Sequence, residues 1–282
     1  MAVTIKPAVD FRVLALGAGV QSSTLALMIK HGEIPEVDCA IFSDTMGEPG
    51  EVYKWLDWLK KQLPFPVYIV SHGNLKEDML ASRYITKLKE KRTYFKIPMH
   101  TKNTKTGKTG ILMRQCTTDY KIKPIIKKIR ELLGYKRYKN VKKGTKVELL
   151  MGISFDEAIR MKTNQLPYIE NMYPLVDKKI TREKCFEWMK NSNYPTPPRS
   201  ACTFCPYHSN TEWARVKQNN KEWEEVVALD KKIRNGLTEF KDAEFFLHKD
   251  CVPLEEADLK TKQSDLFEDH GQLNNCDGMC GV

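Results

Sequence analysis

Apolar positions follow two rhythms along the chain. Phe11 to Leu16 is a short apolar run of strand character that ends in Gly17-Ala18-Gly19, and Ser22 to about Lys30 then carries apolar residues at helical spacing. Val37 to Ser43 and Pro66 to Val70 read as two more strands. Between them, Glu51 to Leu63 sets Val52, Trp55, Leu56, Leu59 and Leu63 on one helical face. From Thr118 a stripe of Ile122, Ile125, Ile126, Ile129 and Leu133 predicts a helix, with Lys123, Lys127, Lys128 and Arg130 off the stripe and Gly134 as its stop. Val147 to Ile153 predicts another buried strand. Thr181 to about Lys190 predicts a helix, where Thr181 and Lys184 make an incomplete capping box. A proline-rich stretch, Tyr194 to Pro198, precedes a helical region from Asn210 to Asn235 and a loop-rich tail. Strands alternating with helices predict an α/β fold with a mostly parallel, doubly wound sheet and a helical C-terminal portion. The expected division is a nucleotide-binding unit over residues 1–180 and a C-terminal unit over 181–282.

Ser82 to Gly110 breaks this rhythm. It holds nine lysines or arginines against one acid, Glu90, and Thr101 to Gly110 has no apolar residue. The expectation is a basic insertion, mobile or folded as a hairpin, with a plain solvated loop as the alternative.

Composition adds three bounds. A hydrophobic content of 41% supports a sizeable core. Met1 to Asp10 has no apolar leader and no window is apolar for about 18 residues, so a cytoplasmic protein with no membrane partner is expected. The net charge of +10 favours anionic partners: a nucleotide, and tRNA or DNA held by the basic insertion. A homodimer is compatible with all of this.

The loop Gly17, Ala18, Gly19, Val20, Gln21, Ser22, Ser23 carries the clearest chemistry. Glycines let backbone N–H groups turn inward around an anion, the helix start adds partial positive charge, and serine hydroxyls add donors. Phosphate is the expected occupant; a tight turn with no ligand is the alternative. No Gly-Lys-Ser/Thr follows and the third glycine of a dinucleotide fingerprint is missing, so neither of those loops is present. Asp44 and Thr45 end the second strand, where parallel sheets bind ligands. Asp44 suits a ribose hydroxyl or Mg2+, or alternatively a helix cap.

Eight cysteines in a chain expected to be cytoplasmic point to metal or chemistry rather than disulfides. Cys39 and Cys185 fall on a strand and a helix and read as core. Cys202-Thr203-Phe204-Cys205 is a CxxC with His208 three residues on, and Cys116 lies upstream. Thiolates suit iron–sulfur clusters and zinc alike. A zinc site would combine Cys202, Cys205, His208 and one further cysteine. A redox dithiol of Cys202 and Cys205 is a third option.

Several segments carry a family resemblance. Gly17 to Ser23 resembles the SGGxDS loop of PP-loop ATP pyrophosphatases, with Gly17 for the first serine and Gln21 for the aspartate. Phe42-Ser43-Asp44-Thr45, with Gly47, Glu48 and Glu51, resembles the Asp-Thr-Gly-x-Glu segment of the phosphoadenylyl-sulfate reductase branch, with Met46 lengthening the spacing. Arg114-Gln115-Cys116-Thr117, with Lys121 and Pro124, is similar to a segment of adenylyl-sulfate reductases, Thr117 standing where a second cysteine would be. Gly152-Ile153-Ser154, Asp156, Glu157 and Arg160 resemble the family's next strand and arginine. The tail Cys276-Asp277-Gly278-Met279-Cys280-Gly281-Val282 looks like that of a phage and bacterial group of reductase-family proteins.

The resemblance implies ATP or another adenine nucleotide with Mg2+, and Lys121 and Arg160 as binders of phosphate or sulfate oxygens, unless they only form surface pairs. It implies a [4Fe–4S] cluster on Cys116, Cys202 and Cys205 with one iron open to sulfide or substrate, or alternatively with Cys251, Cys276, Cys280 or His208 as a fourth ligand, zinc being the competing metal. It offers Cys276 or Cys280 as a tail nucleophile, unless the tail docks structurally or supplies a metal ligand. Three functions follow: ATP-driven adenylation and sulfur transfer to a nucleic acid, reduction of an adenylyl sulfate to sulfite, or nucleotide binding by a regulator without turnover.

Overall fold

The computed structural model describes residues 9–79, 82–85, 90–93, 95–236 and 242–260. Five elements follow as predicted, their ends moved by one or two residues: β1 (Phe11–Leu16), α1 (Val20–Lys30), β2 (Cys39–Asp44), α2 (Gly50–Gln62) and β3 (Val67–Ser71). A short α3 (Leu75–Asp78) leads to two hairpins, β4 (Ser82–Ile85) with β5 (Glu90–Thr93) and β6 (His100–Asn103) with β7 (Thr109–Ile111). After α4 (Lys123–Leu132) come β8 (Val147–Met151), β9 (Ile169–Met172), a short α5 (Pro174–Asp177) and α6 (Arg182–Asn191). The chain then runs through α7 (Asn210–Gln218), α8 (Asn220–Gly236) and β10 (Ala243–Phe246).

The main sheet has the order β3-β2-β1-β8-β9, and every pairing is parallel. Its central strands are buried on both faces, which is why they read as continuous apolar runs rather than alternations. Leu14 and Leu16 of β1 and Ala40 and Phe42 of β2 pack with α1, α2 and α6. Val13, Ala15, Cys39 and Ile41 point the other way and pack with Ile125 and Ile129 of α4. The doubly wound α/β layering is therefore present. Cys39 and Cys185 are core residues; burial pushes both thiols up to about 12. Leaving β1, the chain steps outward through β2 and β3, then returns to the far side of β1 as β8. The order reverses between β1 and β8, which is where such sheets bind ligands.

The hairpin reading of the basic stretch is realised, while two local features differ from the sequence expectation. The basic stretch is not one plain loop. Thr101 to Gly110 is mostly hairpin: β6 pairs with β7 on one side and β10 on the other. Its turn is closed by the Asn103 carboxamide, which accepts from the N–H groups of Lys105 and Thr106. Backbone pairing replaces the apolar alternation by which strands are recognised. Next, the helix expected from Thr118 begins as a π-turn, Thr117–Ile122, closed by Lys123 N–H to Thr118 O. Pro124 follows at once and has no N–H to give to residue 120, so the wider turn suits this sequence. Finally, β9 and β10 carry no strand rhythm in the sequence; β9 is a short edge strand and β10 lies where a loop-rich tail was expected.

A third apolar cluster joins Leu75, Met79, Ile97, Met99, Tyr120 and Phe204 to Trp213, Val226, Leu229 and Phe245. It fastens the small antiparallel sheet and α7–α8 to the C-terminal edge of β2. Helix α6, by contrast, packs against α1 in the main α/β layer. Among the described residues no helix is long and apolar enough to cross a membrane.

Candidate functional site

The glycine loop stands at the C-terminal end of β1, on the β1/β8 reversal. Ala18 adopts φ +57, and Gly19 is the N-cap of α1 with no side-chain cap. The first loop-to-helix bond of this turn runs from Ser23 N–H to Gly19 O, so the N–H groups of Val20, Gln21 and Ser22 precede the helical ladder. Ser22 stiffens the loop: its hydroxyl accepts from Gly17 N–H at 3.2 Å and donates to Gly19 O at 3.3 Å. Ser23 faces inward, where its Oγ accepts from Trp55 Nε1 at 2.9 Å. Of the two serine hydroxyls, then, one braces the loop and the other belongs to the core.

Gly152, just past β8, fits against this turn. A Cβ there would lie 2.7 Å from Ser22 Cα and N, so only glycine allows the approach. Beside it, Gln21 is clamped. Its Oε1 accepts from Arg182 Nη1 at 3.0 Å, and its Nε2 donates to Glu157 Oε2 at 3.3 Å. Arg160 Nη1 donates to that same Glu157 oxygen at 2.6 Å. Arg160, Glu157, Gln21 and Arg182 thus form a chain with a guanidinium at each end, wrapped around the start of α1. Arg182 has no motif in the sequence to mark it, because its partner lies 161 residues away.

At the next strand, Asp44 ends β2. Its Oδ1 accepts from Met46 N–H at 2.7 Å and from the Tyr53 hydroxyl at 2.8 Å. Burial and that hydrogen bond push the Tyr53 phenol up, keeping it a donor. Asp44 is not a helix cap, since α2 is preceded by Pro49.

Thr45 is fully buried, and its hydroxyl lies 3.2 Å from the Cys202 sulfur. Gly47 O accepts Thr203 N–H at 2.8 Å, and a Cβ on Gly47 would sit 2.6 Å from the Phe204 ring. The CxxC loop is therefore docked on the Asp44–Glu48 segment. Cys205 N–H closes a turn on Cys202 O at 3.0 Å, and His208 N–H continues it to Cys205 O.

Lys121 comes from the π-turn into the same place. Its Nζ is 3.7 Å from Glu48 Oε1, and the two side chains are only 6% and 1% exposed. Ser200 Oγ donates to the other Glu48 oxygen at 3.1 Å. Burial first, and the Glu48 carboxylate second, raise the Cys202 thiol well above its usual value, while Lys121 and the Thr45 hydroxyl oppose them.

Cys116 and Cys202 pack against the same apolar cluster, which includes Tyr120 and Phe204. Arg114 lies over the Tyr207 ring at 5.4 Å, linking the Cys116 segment to the CxxC loop. Among the described residues, however, no three His, Cys, Asp or Glu side chains are grouped as ligands of a metal ion. His208 is turned to Glu212, with Nδ1 3.6 Å from its carboxylate, and Cys251 Sγ faces Thr101 O. The Cys202 sulfur has the Thr45 hydroxyl for its neighbour. Cys276 and Cys280 lie outside the described residues.

The site residues thus fall into two neighbouring groups along one sheet edge. Gly17–Ser23, Glu157, Arg160 and Arg182 surround the end of β1. Asp44, Thr45, Glu48, Lys121, Cys202 and Cys205 surround the end of β2. A cavity of about 620 Å3 lies elsewhere, along the edge strand β9 between Lys146 and Tyr173.

No family model matches the sequence, and no curated protein matches it either. Among solved structures the chain is similar to the crystal structure of a phosphoadenylyl-sulfate (PAPS) reductase from Candida auris in a phosphate complex. The identity is 12%, the match covers 70% of this chain and 78% of that one, and the TM-score is 0.38.

Proposed function

We propose that the chain is a PP-loop-type enzyme that uses ATP to adenylate an oxygen of a nucleic acid, which sulfur then replaces. The observation that carries this reading is the uncapped start of α1 at the β1/β8 reversal, flanked by Arg160 and Arg182. Backbone N–H groups, a helix dipole and guanidinium groups are the donors that a polyphosphate needs. Asp44 at the neighbouring strand end suits the ribose or Mg2+.

In the proposed reaction the acceptor oxygen attacks the α-phosphorus of ATP. The bond to the β-phosphate breaks and pyrophosphate leaves, its growing charge met by the loop N–H groups and the arginines. Sulfide then attacks the activated carbon, a carbon–sulfur bond forms as the carbon–oxygen bond breaks, and AMP departs with the oxygen. Cys116, Cys202 and Cys205 are the thiols proposed to hold a [4Fe–4S] cluster or zinc.

Pyrophosphate release from ATP tests the reading. Release stimulated by RNA or DNA is expected, and Gly19→Val, which crowds the loop, should abolish it together with ATP binding. Sulfite formed from adenylyl sulfate would instead make the chain a sulfonucleotide reductase with Cys276 or Cys280 as its nucleophile. Nucleotide binding with neither product would make it a regulator.

A further inference from the structure

Between α4 and β8 lies a segment that neither nucleotide chemistry nor the basic insertion uses. Residues 135–146 hold six basic side chains, Lys136, Arg137, Lys139, Lys142, Lys143 and Lys146, and no acidic one. Among the described residues none of the six takes part in an ion pair, whereas Lys123 and Lys128 of the adjacent α4 are neutralised by Asp119 and Glu131. The segment is folded. Lys142 N–H donates to the Tyr135 hydroxyl at 3.0 Å, Arg130 donates to Lys139 O, and Thr145 N–H closes a turn on Lys142 O.

At its tip stands Tyr138. It is 85% exposed, more than any other large apolar side chain among the described residues. Its φ is +67, a left-handed conformation that bulky residues rarely adopt, and the Arg137 guanidinium lies 4.8 Å from its ring centroid. A tyrosine held out in water, with a cation beside its ring on a segment whose lysines take part in no ion pair among the described residues, is poorly explained by folding alone.

We propose that this loop is a docking surface for an unpaired stretch of RNA. The lysines fit a phosphate backbone, and the exposed ring offers a platform on which one splayed base can stack. A fully paired duplex keeps its bases stacked and has none to give, whereas RNA presents unstacked bases in its loops and bulges; acidic proteins and anionic lipid surfaces are outcomes that the test separates. The loop joins the N-terminal edge of the sheet, the edge opposite the glycine loop, so it anchors RNA at a distance from the chemistry. The surface stands on the loop's own features; that the bound RNA is also the sulfur acceptor rests on the function proposed above.

The test measures binding of a labelled RNA hairpin with an unpaired loop to the full chain, without nucleotide, over a range of salt. Lys142→Ala and Lys143→Ala together should weaken binding at least tenfold and flatten its salt dependence by about one unit of slope per lysine. Tyr138→Asn, which keeps a residue tolerant of the left-handed backbone, should cost about tenfold on the hairpin and little on a fully paired duplex. Tyr138→Phe should bind as the parent does. Thermal midpoint and ATP binding, both expected unchanged, separate loss of RNA binding from loss of fold. Parent-like binding by the double lysine variant would overturn the proposal, as would equal affinity for hairpin and duplex, or stronger binding to single-stranded DNA, acidic protein or anionic vesicles. RNA binding that survives without any pyrophosphate release would leave the surface standing and remove the acceptor role.

Discussion

Gly152 presses on Ser22 so closely that a methyl group at 152 would stand 2.7 Å from the Ser22 backbone. The obstructing atoms are Cα and N of the first turn of α1, which cannot swing away as a side-chain tip could. Gly152→Ala must therefore push the end of β8 off the glycine loop. A loss of about 1–3 kcal/mol of stability is expected, the usual cost of overpacking, with weakened ATP binding. Gly50→Ala is the matched control, because the nearest atom to a Cβ there is 3.8 Å away. Urea unfolding and calorimetric ATP titration of both variants check this; equal behaviour of the two would refute the close contact.

Lys121 and Glu48 form a buried pair beside the CxxC loop. Deleting one charge leaves the other buried without its counter-charge, which costs about 3–5 kcal/mol, while removing both costs far less. Lys121→Met and Glu48→Gln should each lower stability sharply, and the double variant should recover much of the loss. A double-mutant cycle by denaturant unfolding measures the coupling. Simple additivity would show that Lys121 is not held by Glu48.

Glu212 gives the protein an acid-sensitive joint. Burial alone would raise its carboxyl, yet the His208 hydrogen bond and charge, with Arg199 and the Ser209 N–H, bring it down to about 2 from 4.5. A group with a depressed folded pKa contributes stability above its unfolded pKa and loses it as pH falls toward the folded one. The contribution, roughly 3 kcal/mol at most, should be intact above about pH 5 and drain away between pH 4.5 and 2. Glu212→Gln should be less stable at pH 6 and flatter with pH below 4.5; a parallel pH profile for parent and variant would rule this joint out.

Much of the α/β frame is legible in the sequence, because parallel strands buried on both faces leave continuous apolar runs and α2 leaves a clean stripe. Gly17–Ser23 and Asp44–Thr45 are legible for a related reason: a strand end, a glycine turn and a helix start are local patterns. What escapes is set by distance along the chain. Arg182 reaches Gln21, Ser200 reaches Glu48 and Cys202 reaches Thr45, and no short-range signal announces these pairings. The strand β10 escapes for another reason, and β6 with β7 is legible only as one of the readings of the basic stretch. Their bonds are backbone to backbone, and a sequence such as Thr101 to Gly110 shows only its polar side chains.

The cysteines set the last prediction. Cys202 and Cys205 sit at the two ends of one tight turn, and Cys116 approaches the same apolar cluster from the π-turn side. A metal bound here must take Cys202 as thiolate, against the burial that raises its thiol, and must displace the Thr45 hydroxyl from the sulfur. Protein purified without oxygen, or reconstituted with iron and sulfide or with zinc, is expected to carry metal that Cys202→Ala abolishes. Thr45→Val, which removes the competing hydroxyl while keeping the shape, should retain it. Elemental analysis with an absorption spectrum distinguishes cluster from zinc. Full metal content in Cys202→Ala, or none in the parent, would remove the thiols from any metal role while leaving the glycine-loop site untouched.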